Sequence, residues 1–144
     1  MDRAERAVTQ FLGPFNCTQS VLGVFAAEHG LESRVACRLA TPFGAGFGHS
    51  GGMCGVVSGA LLVIGLVHGQ ADETEEAAKE LAYAMAQEFI DEFGERAGDV
   101  NCNALVGLDM NEPAQVARGR AEGHFTRRCV PLVRMGVEIL EEIL

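Results

Sequence analysis

An all-α fold, a single-domain helical bundle with a central glycine-rich apolar helix, is what this 144-residue sequence predicts. Apolar residues recur at helical spacing over almost the whole chain, and no segment alternates in the manner of a strand. The most apolar run, Met53 to Val67, is hydrophobic nearly all round, which suits a helix covered on every side by others. It falls short of the roughly 20 residues of a membrane helix and is broken by glycines and Ser58, so no membrane span is expected. The length is that of one domain, and no linker, internal repeat or low-complexity segment divides residues 1–144.

Taken in order, "MDRAERAVTQFLGP" carries charges on both sides of a short apolar stripe and lacks the apolar core of a signal peptide, which predicts a cytoplasmic protein. "NCTQSVLGVFAAEHG" places Cys17, Val21, Val24 and Phe25 on one helical face, with Asn16 as N-cap and Gly30 as the stop. "ESRVACRLATPF" repeats the pattern with Val35, Leu39 and Phe43 turned inward, and Pro42 ends it. Five glycines in Gly44–Gly52 predict a loop, after which Cys54 falls on the first turn of the central helix. "DETEEAAKELAYAMAQEFIDEFGER" begins with carboxylates suited to the positive end of a helix dipole and spaces Ala77, Leu81, Met85, Phe89 and Phe93 along one stripe. A short segment around "VNCNALVG" and a polar stretch near "NEPAQVARGRAEG" follow. The closing helix, "RRCVPLVRMGVEILEEIL", carries Leu132, Met135, Ile139, Leu140 and Ile143 and would permit a homodimer contact.

The composition, 48% hydrophobic and 22% charged, is enough to form a core without a metal to staple it. A net charge of -9 repels phosphate backbones and anionic headgroups, so neither nucleic acid nor a membrane surface is an expected partner.

The chemistry concentrates in five cysteines, at positions 17, 37, 54, 102 and 129, with no C-x-x-C pair. Free cysteine is among the most buried residue types, and packing alone accounts well for Cys37 within "RVACRLA". The other four share more than packing requires. Cys17 follows Asn16 and Cys102 follows Asn101 near helix starts, Cys54 follows Gly51 and Gly52 near another, and Cys129 follows Arg127 and Arg128. Helix N-termini and neighbouring cations favour thiolate, the form that attacks disulfides and binds metals.

At these residues the chain resembles the C_GCAxxG_C_C family of small redox-active proteins. "NCTQSVLGVFAAEHGL" is similar to its first cysteine segment, "RLATPFGAGFGHSGGMCGVVSGALLVIGL" to its glycine-rich segment, and "VNCNALVGLDM" and "RRCVPLVRMGVEILEEIL" to its last two. The resemblance places Cys17, Cys54, Cys102 and Cys129 at the four named cysteines and Gly59 at the second glycine of the central motif. The central motif departs from the pattern, with Met53 before Cys54 and Gly55 after it, and Cys37 is extra. A related domain of split-Soret-type cytochromes associates such cysteines with an iron-sulfur cluster, which implies a cluster here. Haem is not implied, because the chain has no C-x-x-C-H.

Three readings follow. In the first, Cys17, Cys54, Cys102 and Cys129 bind a [2Fe-2S] or [4Fe-4S] cluster, or zinc, for electron transfer to a redox partner protein or for redox sensing. Backbone N–H groups of Gly52, Gly55 and their neighbours would then donate to sulfur. In the second, a reversible disulfide forms among these cysteines and Cys54 attacks a partner. In the third, the protein is a helical scaffold with inert cysteines. His49, five residues before Cys54, is placed to donate to a sulfur, replace a ligand or shuttle a proton; a solvated loop histidine is its ordinary role. Gly55 and Gly59 form a small-x-x-x-small face that close helix packing also explains. His29, His68 and His124 near helix ends, and the carboxylates Glu73, Glu75 and Glu76, are assigned no site.

Overall fold

Helical periodicity becomes helix across nearly the whole of residues 1–144, all described by a computed structural model. Eight right-handed helices follow one another: α1 (Arg3–Leu12), α2 (Cys17–Ala26), α3 (Ser33–Ala40), α4 (Gly55–His68), α5 (Glu76–Ala97), α6 (Cys102–Val106), α7 (Pro113–Ala121) and α8 (His124–Ile143). There is no strand; one isolated antiparallel bridge joins Met53 and Asn101. No helix is long and apolar enough to cross a membrane.

The central helix is α4, as its sequence requires. Val56, Val57, Ala60, Val63 and Ile64 are all buried, and α2, α5 and α8 cover it. Its closest neighbour is α2, and the reason is the absence of side chains. A Cβ at Gly59 would lie 3.1 Å from the Thr18 carbonyl oxygen and 3.1 Å from Val21 Cβ. Buried Thr18 completes the contact by donating from Oγ1 to the Gly55 carbonyl at 2.9 Å, with Ser58 Oγ 3.3 Å away. Helix starts are capped where the sequence indicates. The Asn16 side chain accepts from the Gln19 N–H, and Gln19 Oε1 accepts from the Asn16 N–H, each at 2.9 Å, closing a capping box at α2. On the far side, Phe89 and Phe93 of α5 stack at 5.8 Å, both fully buried, against a core that includes Val133 and Val137 of α8.

Several elements differ from the sequence reading. In α3 the buried residues are Ala36 and Ala40, while Val35 and Leu39 are 40% and 57% exposed. This short helix packs chiefly on α2, and the small alanines, four apart, allow the close approach. The α5 stripe is buried only at Met85, Phe89 and Phe93; Leu81 and Ala77, nearer the start, are exposed. Cys54 is the residue before α4 rather than part of its first turn. In α8, Ile139 and Leu140 are inaccessible, and Leu132, Met135 and Ile143 pack partly buried against the same core.

A valine at Gly59 must separate α2 from α4, so Gly59→Val is expected to lower stability by about 1–3 kcal/mol. Leu39→Gln, on the exposed side of α3, should change it by no more than about 0.5 kcal/mol. Urea titrations check both: the first midpoint falls at unchanged m-value, the second does not move.

Candidate functional site

Four of the cysteines sit on backbone that the fold draws together. Cys17 opens α2 directly after its Asn16 cap, and Cys102 opens α6 after Asn101, whose side chain accepts from the Ala104 N–H at 3.1 Å. The segments before α4 and α6 are tied to each other: Cys54 N–H donates to the Val100 carbonyl at 2.7 Å, and Cys102 N–H to the Gly52 carbonyl at 2.6 Å. Across the α2–α4 contact, a Cβ at Gly55 would lie 2.2 Å from Cys17 Sγ, so that glycine makes the room in which the sulfur sits. Cys129 lies in the second turn of α8 and packs on a small cluster formed by Cys102, Val106, Met110 and Val116.

Between α3 and α4 the chain does something that the glycine count did not announce. Gly44–His49 is not an open loop but a left-handed turn: Ala45 (φ 57°, ψ 36°), Gly46 (66°, 54°), Phe47 (62°, 67°) and Gly48 (63°, 46°) run consecutively, and His49 continues with φ 68°. Left-handed helical backbone costs an L-residue about 1–2 kcal/mol, and three residues here are not glycine. Neighbouring structure holds the turn in place. Gly52 N–H donates to the Gly46 carbonyl at 2.9 Å, and the Asn16 side chain, packed on Gly44, donates from Nδ2 to the Thr41 carbonyl at 3.0 Å. A Cβ at Gly46 would meet Cys102 Cβ at 2.7 Å. The result brings the Ala45 amide to the Cys17 sulfur.

The thiols act on one another. Burial raises Cys17, and the amides of Ala45, Thr18 and Cys17 itself partly offset this. Cys54 is raised strongly by burial and then by Cys17, against the opposing amides of Val56 and Val57, with Cys102 adding to the rise. Burial followed by Cys17 pushes Cys102 up to about 11, and burial followed by Cys17 and Cys102 pushes Cys129 up to about 12. Cys17 is the common member of the set. The expectation that helix starts and adjacent arginines favour thiolate is therefore corrected: desolvation outweighs both. Arg127 and Arg128 are exposed, and Arg127 donates instead to the Glu122 carbonyl at 2.7 Å.

Cys37 stands apart on α3, where its Sγ accepts from Gln19 Nε2 at 3.3 Å. All five cysteines are free, and no group of three or more His, Cys, Asp or Glu side chains is placed to hold a metal ion. The Gly52 N–H is directed to the Gly46 carbonyl, Gly59 lies in the α2–α4 packing contact, and His49 is exposed at the rim of a cavity. That cavity, of about 580 Å³, opens beside the site; Cys17, Cys102 and Cys129 line it, whereas Cys54 does not and is only 6% exposed. Thr18, Ala45 and Asn101 were not singled out as site residues in the sequence. A polar Asn-Cys pair at both α2 and α6 was the available signal for Asn101; nothing local marks Ala45.

The model of a protein family described as "Putative redox-active protein (C_GCAxxG_C_C)" matches residues 15–143. The chain belongs to this family. No curated protein and no solved structure matches it. The matched span contains all five cysteines.

These raised thiols bind protons more tightly folded than unfolded, so above the ordinary value of 9.0 the unfolded chain loses protons first. Stability of the reduced, metal-free protein should hold below pH 9 and fall as pH rises toward 11 and 12. Urea midpoints across that range test this, and Cys129→Ala should make the fall shallower.

Proposed function

We propose that Cys17, Cys54, Cys102 and Cys129 are the ligands of a metal centre, an iron-sulfur cluster in the first instance, through which this redox-active protein exchanges electrons with a partner protein. The observation that carries the reading is selective convergence. Cys54, Cys102 and Cys129, from three separate segments, each feel the presence of Cys17, and Cys102 and Cys129 share a cavity wall with it, while Cys37 is hydrogen-bonded to Gln19 on α3.

The residues suit such a group. Four sulfurs are the soft donor set of iron-sulfur clusters and of structural zinc alike. The missing Cβ of Gly55 leaves the Cys17 sulfur its space, and the amides of Ala45, Val56 and Val57 present partial positive charge to two of the four sulfurs. When bound, a cluster supplies reversible one-electron chemistry. The chain's own part is to limit the water around the sulfurs, to orient those amides, and to give up one proton from each ligating thiol on loading. Because the thiols otherwise hold their protons at neutral pH, loading should become tighter as pH rises.

Thiol–disulfide exchange with Cys54 as the attacking group has less to support it. Cys54 is buried, its thiol is raised rather than lowered, and it does not line the cavity through which a partner would approach.

Anaerobic purification followed by an ultraviolet–visible spectrum, with iron, zinc and acid-labile sulfide assayed on the same sample, is the test. Stoichiometric iron and sulfide with charge-transfer bands are expected. Serine at Cys17, Cys54, Cys102 or Cys129 should remove most of the bound metal, and Cys37→Ser should retain it. Stoichiometric zinc without iron would keep the ligand set and remove the electron-transfer role. Colourless, metal-free protein after failed reconstitution would overturn the proposal.

A further inference from the structure

The cavity beside the thiols has a charge pattern unlike that of the rest of the molecule. Twenty residues line its volume of about 580 Å³, and none is Asp or Glu, in a chain that carries 20 of them and a net charge of -9. Its one arginine is Arg120, on α7, which takes part in none of the salt bridges that engage Arg3, Lys79 and Arg96. Its apolar wall includes Phe11, Phe15, Val106, Met110 and Phe125, drawn from the end of α1, α6 and its following turn, and the start of α8. The volume lies in the range of small-molecule sites, which pair an apolar lining with a few polar groups that fix orientation.

We propose that this cavity binds a small amphipathic anion, a carboxylate or sulfonate on an aromatic or short aliphatic body, with its charge at Arg120 and its body against the phenylalanines. Two physical facts select an anion. A cation would meet Arg120 with no carboxylate in the lining to offset it. A neutral apolar ligand would fill the walls but leave unused the charge of Arg120, which is exposed and has no salt-bridge partner. The overall negative charge of the chain works against any anion at long range, so binding must depend on the local arginine, and neutralising that one residue should have a large effect. Three thiols also face this space, so the ligand would lie next to the sulfurs. The proposal concerns binding beside the sulfurs, and because Cys17, Cys102 and Cys129 share the lining, a group held on them would occupy part of the same cavity.

The test uses the full chain, with its metal content assayed separately, and two fluorescent probes of similar ring structure. One is 8-anilinonaphthalene-1-sulfonate, which is anionic; the other is N-phenyl-1-naphthylamine, which is neutral. One saturable sulfonate site per chain is expected, competed by decanoate. Arg120→Gln should weaken sulfonate binding about tenfold, the effect of losing one charge-assisted hydrogen bond, and leave the neutral probe within about twofold. Arg118→Gln is the control, an exposed arginine on the same helix that does not line the cavity; it should leave both probes unchanged. Thermal melts followed by circular dichroism verify that both variants remain folded. Absence of a saturable site, equal loss in the Arg118 and Arg120 variants, or equal loss of both probes in Arg120→Gln would each overturn the proposal. Metal is assayed on the same samples and the titrations are repeated on metal-free protein, so loss of the ligand site is read separately from presence or loss of metal.

Discussion

The close approach of α2 to α4 across Gly55 and Gly59 is the constraint on which the rest of the molecule depends. It sets Cys17 against the start of α4, and so against Cys54, without any sequence-local motif to bring the two together. Thr18 serves the same contact in polar terms, since its hydroxyl meets a carbonyl of the opposite helix and leaves no buried group unsatisfied. Once that contact is made, the bridge between the segments preceding α4 and α6 carries Cys102 into the same neighbourhood. The site is thus a by-product of helix packing, and its integrity is tied to that of the core.

Much of this was legible from particular residues. Asn16 and Asn101 announced helix starts because a short polar side chain before an apolar run satisfies an otherwise orphaned N–H. The apolar run of α4 announced a central helix, since no face of it suits water. The orientation of α3 was not legible, because Val35 and Leu39 satisfy helical periodicity as well as Ala36 and Ala40 do, and only the distance available beside α2 decides between the two faces. The left-handed turn escaped for a different reason. Glycine spacing reveals where such backbone is allowed, not where it is adopted, and Ala45, Phe47 and His49 argue locally against it.

The electrostatic character of the site was also hidden, for it is a property of assembly. Each cysteine, read with its own neighbours, sits beside something positive: a helix start or a pair of arginines. Folding takes much of the water from these sulfurs and sets them near each other, and both effects favour the protonated form. Local dipoles persist, as the amides of Ala45, Val56 and Val57 show, yet they are the smaller influence.

The alternation of glycine with side-chain-bearing residues in the left-handed turn makes that segment a ruler. Gly44 packs on Asn16 and Gly46 packs on Cys102, at distances that admit no Cβ, whereas Ala45, Phe47 and His49 occupy the intervening positions. Adding or removing a single residue between Pro42 and Gly51 would exchange the two sets, placing a methyl group or an aromatic ring where bare backbone must lie against the Asn16 side chain and the Cys102 Cβ. The segment can therefore vary in chemistry but not in length. The exposed connection before α5 has no such phase to keep, so it can lengthen or shorten without the sulfurs registering the change.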